Sequence, residues 1–170
     1  GCVVYGTTGS SKKFQYMLDL GVDHPIDTSK ESFVDAIRMI RGRAGLDAVF
    51  DAIGGATFRK GFQLLGVGGR IVSFGVADRT GSGKILGTLK MIFGFGFVHP
   101  LALLIKPRTM AGVNMLHIAD RKPEILQRCM QSVAALAASG EIKPHVGGVF
   151  AADKIADAHE FLESRQSTGK

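Results

Sequence analysis

The stretch from residue 46 to residue 75 constrains the fold of this chain more than any other. Residues 46–53 and 70–74 form two apolar runs, and glycine pairs close the first run and open the second. Four residues between the runs recur with the period of a helix: Phe58, Gly61, Phe62 and Leu65. A crossover of this length joins parallel strands, because antiparallel neighbours need only a tight turn. The pattern therefore predicts a βαβ unit with buried strands, whose ligand-binding loops follow Ile53 and Phe74.

Composition and charge indicate a folded domain. The chain has 170 residues with 45% hydrophobic content, which is enough for one domain with its own core. Its net charge of +6 is moderate, and the basic residues are scattered, which argues against nucleic-acid binding. Lysine, glycine and proline interrupt the longest apolar stretch, residues 85–105, whereas a membrane span needs about 20 apolar residues. We therefore expect a soluble protein with neither a signal peptide nor a transmembrane segment.

The cysteine content is too low for a disulfide framework or a four-thiolate zinc site. Cys2 lies in a strand-like run, and Cys129 lies on the apolar face of a predicted helix. We expect both to be buried free thiols in a reducing compartment, the cytoplasm.

Capping signals predict the elements before residue 46. Residues 2–7 and 24–27 are expected to form short strands. Ser10 or Ser11 can cap a helix that Gly21 ends, since glycine readily takes the left-handed conformation that follows a helix. Residues 28–31 have the spacing of a capping box, which predicts the start of a second helix.

Capping residues and apolar patterns also predict the strands and helices after residue 77. A strand is expected from Thr109 to Met115, a long helix between Pro123 and Gly140, and a last helix capped by Asp153. The long helix has an apolar stripe that we expect to face the core: Ile125, Leu126, Cys129, Met130, Val133 and Leu136. Residues 85–97 show no single period, and the alternating Phe93, Phe95 and Phe97 suit either a core or contact with a neighbouring subunit or domain.

The loop from Thr7 to Lys13 is the best candidate for binding a phosphate group. It follows a predicted strand and precedes a helix, and it carries hydroxyl groups and lysines that suit a phosphate monoester. A carboxylate at the end of this strand would select NAD, but Thr8 occupies that region and no acidic residue occurs before Asp19. The sequence therefore favours NADP. The alternative is that Ser10 and Ser11 only cap the helix and that the lysines are solvated.

No residue pattern predicts catalytic side chains or a metal site in this chain. The glycine loop at residues 81–84 lacks the first glycine and the hydroxyl residue of a P-loop. Asp47 and Asp51 share a strand face but lie about 13 Å apart along it, too far for joint acid–base work. Five scattered residues lack the spacing of metal ligands: His24, His99, His117, His145 and His159.

In their order, six segments resemble the cofactor-binding half of the medium-chain dehydrogenase/reductases. The resemblance is to the zinc-free quinone oxidoreductase branch, and it is greatest for the vesicle amine transport protein-like members. It extends over residues 4–13, 20–27, 46–55, 68–75, 140–144 and 158–165. It implies a Rossmann-type, doubly wound and mostly parallel sheet over residues 1–170. We expect the first, central strand, its pyrophosphate-binding turn and the substrate domain to precede residue 1, so that this chain is inactive alone.

The resemblance also implies where an NADP(H) molecule would bind. Three residues would lie near the adenosine ribose and its 2′-phosphate: Thr7, Ser10 and Lys13. Four would line the dinucleotide along the strand ends: Ile53, Gly54, Gly75 and Val76. Val113 and Asn114 would approach the nicotinamide.

The family's activity implies hydride transfer from NADPH to quinones or α,β-unsaturated carbonyl compounds, with the chemistry belonging largely to the cofactor. Family members also suggest a homodimer that pairs through the last strand, Met110 to Met115. The alternative is a non-catalytic module in which the region of Phe93, Phe95 and Phe97 contacts a membrane or a protein partner.

Overall fold

A computed structural model describes residues 1–76, 93–164 and 167–169. The chain divides into two compact units. The smaller comprises Gly1–Gly6, Ser10–Pro25 and Ile118–Lys170, and the larger comprises Thr7–Gly9 and Ile26–His117. The described strands are β1 Tyr5–Thr8, β2 His24–Asp27, β3 Leu46–Asp51, β4 Leu65–Ser73 and β5 Thr109–Gly112. The described helices are α1 Phe14–Asp19, α2 Phe33–Arg41, α3 Gly55–Leu64, α4 Pro100–Ile105, α5 Met115–Arg121, α6 Pro123–Ala138 and α7 Ile155–Glu163, with 3₁₀ turns at Ser11–Lys13 and Ala152–Lys154.

The predicted βαβ unit is confirmed as the centre of the larger unit. Strands β3, β4 and β5 form a parallel sheet in that order, and Val49 of β3 lies opposite Ile71 of β4. Helix α3 connects β3 to β4 and packs on both strands. Its Phe58 contributes to a core cluster with Leu65 and Ile71, and Ile71 is fully buried.

The predictions that Leu65 belongs to the helix and that the glycine pair precedes β4 are wrong. Strand β4 begins at Leu65, directly after α3, and passes through the glycine pair Gly68 and Gly69. The register with β3 shifts between the pair Leu46–Leu65 and the pair Ala48–Arg70, so the glycines lie in a bulged part of the strand. Gly68 has φ +76°, a conformation that few other residues adopt.

The expectation that both strands of the unit are buried holds only in part. Strand β4 contains the buried Leu65 and Ile71, but Phe50 of β3 is 74% exposed. Strand β3 lies at one edge of the described three-stranded sheet, so it has a strand neighbour there on one side only.

Strands β1 and β2 form a separate two-stranded sheet, and the loop after β2 differs from the predicted capping box. Helix α2 begins at Phe33, and its N-cap residue Ser32 makes no side-chain capping bond. The Ser29 hydroxyl donates to the carboxylate of Asp27 at 2.6 Å, and Thr28 bonds to β1. These side chains are engaged elsewhere, so the expected reciprocal cap does not form.

In the smaller unit, the sequence signals predict where the helices begin and end better than they predict which residues are buried. Ser10 caps the first turn, Gly21 has φ +86° after α1, and α6 begins at Pro123. Asp153, however, lies inside a 3₁₀ turn that begins after Ala151 and makes no N-cap bond there.

The expected burial of the α6 stripe and of the thiols is wrong. Met130 and Val133 are 59% and 50% exposed, and Cys2 and Cys129 are both exposed. Periodicity identifies the apolar face of a helix but not what packs on it.

Strand β5 is shorter than predicted. It ends at Gly112, and Met115 begins helix α5 instead of extending the strand. The carboxamide oxygen of Asn114 accepts a bond from the His117 N–H at 3.0 Å, and this bond caps the start of the helix. Strand β5 lies at the other edge of the described sheet. That two copies of the chain pair through β5 stays a prediction, and the strand that could pair is Thr109–Gly112.

The apolar segment after residue 84 is only partly described. The loop at residues 81–84 and residues 85–92 lie outside the described part of the chain. The phenylalanines that are described point in different directions: the Phe95 ring packs on Phe58 at 5.1 Å, whereas Phe93 and Phe97 are 77% and 89% exposed. None of the described helices is long and apolar enough to span a membrane.

Arg108 closes the carboxyl end of α3. Its guanidinium donates to the Phe62 carbonyl at 3.2 Å and to the Leu65 carbonyl at 2.6 Å, and it lies over the Phe62 ring. We expect Arg108→Ala to lower the free energy of unfolding by about 1–2 kcal/mol, because two helix-end carbonyls lose their donor. Urea unfolding checks this value. Arg108→Lys should recover only part of the loss, since one ammonium lacks the fork that reaches both carbonyls; full recovery would contradict the bidentate role.

Candidate functional site

The carboxyl ends of β3, β4 and β5 meet at one edge of the parallel sheet. The register places Asp51 opposite Ser73, and Ser73 opposite Gly112. Beyond the paired residues, the Phe74 N–H donates to the Asp51 carbonyl at 3.0 Å and the Val113 N–H donates to the Ser73 carbonyl at 2.8 Å. The three strand ends are therefore held together as one edge, where open α/β sheets bind their ligands.

Asp51 organises the first of these strand ends. Its side chain is buried, and its two carboxylate oxygens accept bonds from the Ile53 N–H at 3.3 Å and the Gly54 N–H at 3.0 Å. The loop therefore turns tightly from β3 into α3, with Gly54 at φ +80°. Sequence reasoning missed this role, although an aspartate that ends a strand just before a glycine pair is a signal for such a turn.

Gly54 and Gly75 lie where neighbouring atoms leave little space for a side chain. A Cβ atom on Gly54 would lie 2.9 Å from the Phe95 ring and 3.2 Å from Val76. A Cβ atom on Gly75 would lie 2.5 Å from the carbonyl oxygen of Ala52. The structure thus brings the predicted residues Gly54, Gly75 and Val76 together.

Three apolar side chains leave this edge partly open to solvent. Ile53, Phe74 and Val76 are 43%, 50% and 44% exposed. We call these three residues the apolar ledge. A cavity of about 370 Å³ has Ser73, Gly112 and Phe95 in its wall, and none of the three ledge residues lines it. Partly exposed apolar side chains beside backbone groups are the kind of surface that lines small-molecule sites.

The end of β1 is held by Thr28. The Thr8 carbonyl accepts bonds from the Thr28 N–H at 2.8 Å and from the Thr28 hydroxyl at 3.0 Å. Thr7 is exposed and Thr8 is half-buried. The predicted site residues Thr7 and Thr8 therefore end a strand that is tied to the start of the next loop.

The remaining predicted site residues, Ser10 and Lys13, belong to the smaller unit. The Ser10 hydroxyl accepts a bond from the Lys12 N–H at 3.3 Å, so the capping role is present. Lys13 is half-buried, and its ammonium donates to the carbonyl of Ser167 at 2.8 Å. This contact with Ser167 was not predictable from local sequence, because it joins residues 154 positions apart.

The acidic residues of β3 do not form a reactive pair. Asp51 is committed to the turn, whereas the side chain of Asp47 is 95% exposed and lies 3.5 Å from Arg41. Within the described residues, no group of three or more His, Cys, Asp or Glu side chains could hold a metal ion. The described edge offers backbone groups and apolar surface rather than acid–base residues.

The parallel α/β architecture and its shared strand edge are those of the Rossmann-like medium-chain oxidoreductases. The chain belongs to the zinc-binding dehydrogenase family, because the sequence profile of that family matches residues 20–170. The resemblance inferred from the sequence is thereby confirmed.

Named relatives place the chain within this family. The human synaptic vesicle membrane protein VAT-1 homolog is 33% identical over 169 residues, which cover 98% of this chain and 42% of that protein. The quinone oxidoreductase-like protein 2 of Bos taurus is 27% identical, with 98% and 44% covered. The chain spans less than half the length of these relatives.

Solved structures show the same fold. Escherichia coli quinone oxidoreductase complexed with NADPH matches with a TM-score of 0.68 and 25% identity, covering 98% of this chain and 48% of that one. The CurF ER cyclopropanase from the curacin A pathway matches with a TM-score of 0.75 and 20% identity, covering 98% and 45%.

Proposed function

We propose that this chain is the cofactor-binding part of an NADPH-dependent oxidoreductase that reduces quinones or α,β-unsaturated carbonyl compounds. The observation that carries the proposal is the shared edge of β3, β4 and β5, where Ile53, Phe74 and Val76 leave an apolar ledge beside closely packed glycines. The E. coli quinone oxidoreductase with the same fold is described as complexed with NADPH, which supports the choice of cofactor.

The residues at the shared edge fit a bound dinucleotide. Ile53, Gly54, Gly75 and Val76 would line it along the ends of β3 and β4. Val113 and Asn114 follow β5 at the same edge and would lie nearest the nicotinamide. Asn114 already accepts a bond from the His117 N–H, so its oxygen is oriented by α5. When bound, the nicotinamide supplies the hydride, and the residues of this chain bind and orient it.

The preference for NADPH rests on charge. Lys13 supplies a half-buried ammonium, with Ser10 and Thr7 nearby in sequence, and Thr8 stands where a carboxylate would repel a phosphate. A 2′-phosphate is favoured by a cation and disfavoured by an acidic neighbour.

Lys13→Ala is expected to weaken NADPH binding by about 10- to 150-fold and to leave NADH binding unchanged, because a charge-assisted contact contributes about 1.5–3 kcal/mol. Titration of both cofactors by fluorescence or calorimetry measures the two dissociation constants. Lys12→Ala is the matched control, since Lys12 is the exposed neighbour and should have little effect on either cofactor. Equal losses for NADPH and NADH would remove Lys13 from the 2′-phosphate.

A second candidate function is a non-catalytic interaction module. The observation that favours it is the exposure of Phe93 and Phe97, two aromatic side chains that the described core leaves uncovered. Turnover separates the two functions: the full-length protein should oxidise NADPH in the presence of a quinone. Tight NADPH binding without turnover of any quinone or enone would favour the interaction module.

A further inference from the structure

The cavity in the larger unit exists because two small residues face each other on the α3 side of the sheet. Residues two apart on a strand point to the same side, so Ser73 shares the side of Ile71, which belongs to the core cluster with Phe58 of α3. The register places Gly112 of β5 opposite Ser73. A Cβ atom on Gly112 would meet nothing within 4 Å, so this part of the sheet surface is left uncovered.

Aromatic rings and a thioether form other walls of the cavity. Phe58 is 5% exposed, and its ring centroid lies 5.1 Å from that of Phe95, with the two ring planes tilted by 50°. Met110 lies opposite Ile71 and lines the cavity from β5. Rings and sulfur atoms make favourable contacts with a further ring, so these walls favour an aromatic ligand.

The wall that contains Phe95 is fixed on α3. A Cβ atom on Gly94 would lie 3.0 Å from the backbone nitrogen of Ala56, in the first turn of α3, so the backbone before Phe95 packs directly on the helix. Gly96 follows with φ +73°, and its N–H donates to the Phe93 carbonyl at 3.2 Å. These contacts within the chain already order the wall, so a ligand that enters the cavity does not have to order it.

The side chain of Ser73 gives the cavity one polar group. The Ser73 carbonyl accepts a bond from the Val113 N–H at 2.8 Å, but the hydroxyl has no hydrogen-bond partner among the described residues. A hydroxyl can donate one bond and accept others, so a polar group on a ligand would satisfy it. None of the described residues that line the cavity carries a charge, and an ion there would lose its hydration without compensation.

The volume of the cavity limits what can enter it. It measures about 370 Å³, near the lower end of the range for small-molecule sites. An apolar cavity of about 150 Å³ is large enough for benzene. The space therefore suits a compound of one ring or two fused rings, and a dinucleotide is too large for it.

We propose that this cavity binds a small uncharged ring compound that carries a hydroxyl or carbonyl group. The ring lies against Phe58, Phe95 and Met110, and its oxygen bonds to the Ser73 hydroxyl. The inference goes beyond the function proposed above and does not depend on it, because none of the three residues of the apolar ledge lines the cavity.

Gly112→Leu tests whether the cavity is the site. Gly112 does not have positive φ, and a leucine side chain there extends into the cavity. The probes are 2-naphthol and naphthalene, which differ by one hydroxyl group, and their fluorescence is titrated with the full-length protein. We expect both to bind saturably to the unchanged protein, and Gly112→Leu to weaken both by about 10-fold or more, because leucine takes the space of the ring.

Ala111→Leu is the matched control for Gly112→Leu. The two residues are neighbours on β5, so their side chains point to opposite sides of the sheet. The same added volume at Ala111 should leave the affinities of both probes unchanged.

Ser73→Ala tests the polar contact without adding any volume. Loss of the hydroxyl should weaken 2-naphthol by about 2- to 12-fold and leave naphthalene unchanged, since only the first probe has a hydrogen bond to lose. This comparison stands even where Gly112→Leu does not fold, which circular dichroism reveals.

Three results would each overturn the inference. The first is that neither probe binds saturably to the unchanged protein, so that the cavity does not accept a ring. The second is that a folded Gly112→Leu protein binds both probes as before, which would place them elsewhere. The third is that Ser73→Ala weakens 2-naphthol and naphthalene equally or leaves both unchanged, so that the hydroxyl does not bond to the ligand.

Discussion

Asp51→Ala is expected to lower the free energy of unfolding by about 2–4 kcal/mol. The buried carboxylate accepts bonds from the Ile53 and Gly54 N–H groups, and alanine leaves both donors without their partner. A buried donor that loses its partner costs about 1–3 kcal/mol. Urea unfolding followed by circular dichroism measures the loss, and the weakened turn should also reduce NADPH affinity, because Ile53 and Gly54 line the proposed site.

Two variants control this prediction. Asp47→Ala removes an exposed carboxylate from the same strand and should have little effect, since its pairing with Arg41 lies in solvent. Asp51→Asn keeps one acceptor oxygen and should lie between the wild type and alanine. A loss for Asp47→Ala as large as that for Asp51→Ala would show that the turn bonds are not the cause.

The role of Asp51 shows where sequence reasoning stopped short. Apolar runs and helical spacing predict the order of β3, α3 and β4 correctly, but they assign Leu65 to the helix, whereas it begins β4. Strand spacing excludes a reactive pair of Asp51 with Asp47, but it does not predict the turn, although the position of Asp51 just before Gly54 is that of a turn acceptor. Asp27 repeats the pattern after β2, where it accepts bonds from the N–H and hydroxyl of Ser29.

Contacts between distant residues account for the other differences. Thr28 has the local spacing of a capping box, but its hydroxyl bonds to the Thr8 carbonyl, twenty residues away. The exposure of Cys129 depends on what packs against α6, and the helical period of its neighbours carries no information on that. The strand edge of the candidate site was predictable from the topology of parallel sheets, whereas the contact between Lys13 and Ser167 was not.

Gly75→Ala is expected to lower the free energy of unfolding by about 2–3 kcal/mol and to abolish measurable cofactor binding. The added Cβ atom would lie 2.5 Å from the Ala52 carbonyl oxygen, which is backbone and has no rotamer to change. The adjacent bond from the Phe74 N–H to the Asp51 carbonyl holds the two strand ends at 3.0 Å, so relief requires moving β4 away from β3. Overpacking of this kind costs about 1–3 kcal/mol, occasionally more.

Gly112→Ala is the matched control for the effect of Gly75→Ala on stability. Gly112 ends β5 on the same edge, and a Cβ atom there meets nothing within 4 Å. Neither glycine has positive φ, so both tolerate alanine in their backbone conformation and differ only in the space around them. Alanine at Gly112 should be neutral or raise stability by about 0.4–1 kcal/mol, because it restricts the unfolded chain. Equal unfolding free energies for the two variants would mean that β3 and β4 can separate at their ends without cost, and the shared edge would then lack the rigidity that a fixed cofactor site needs.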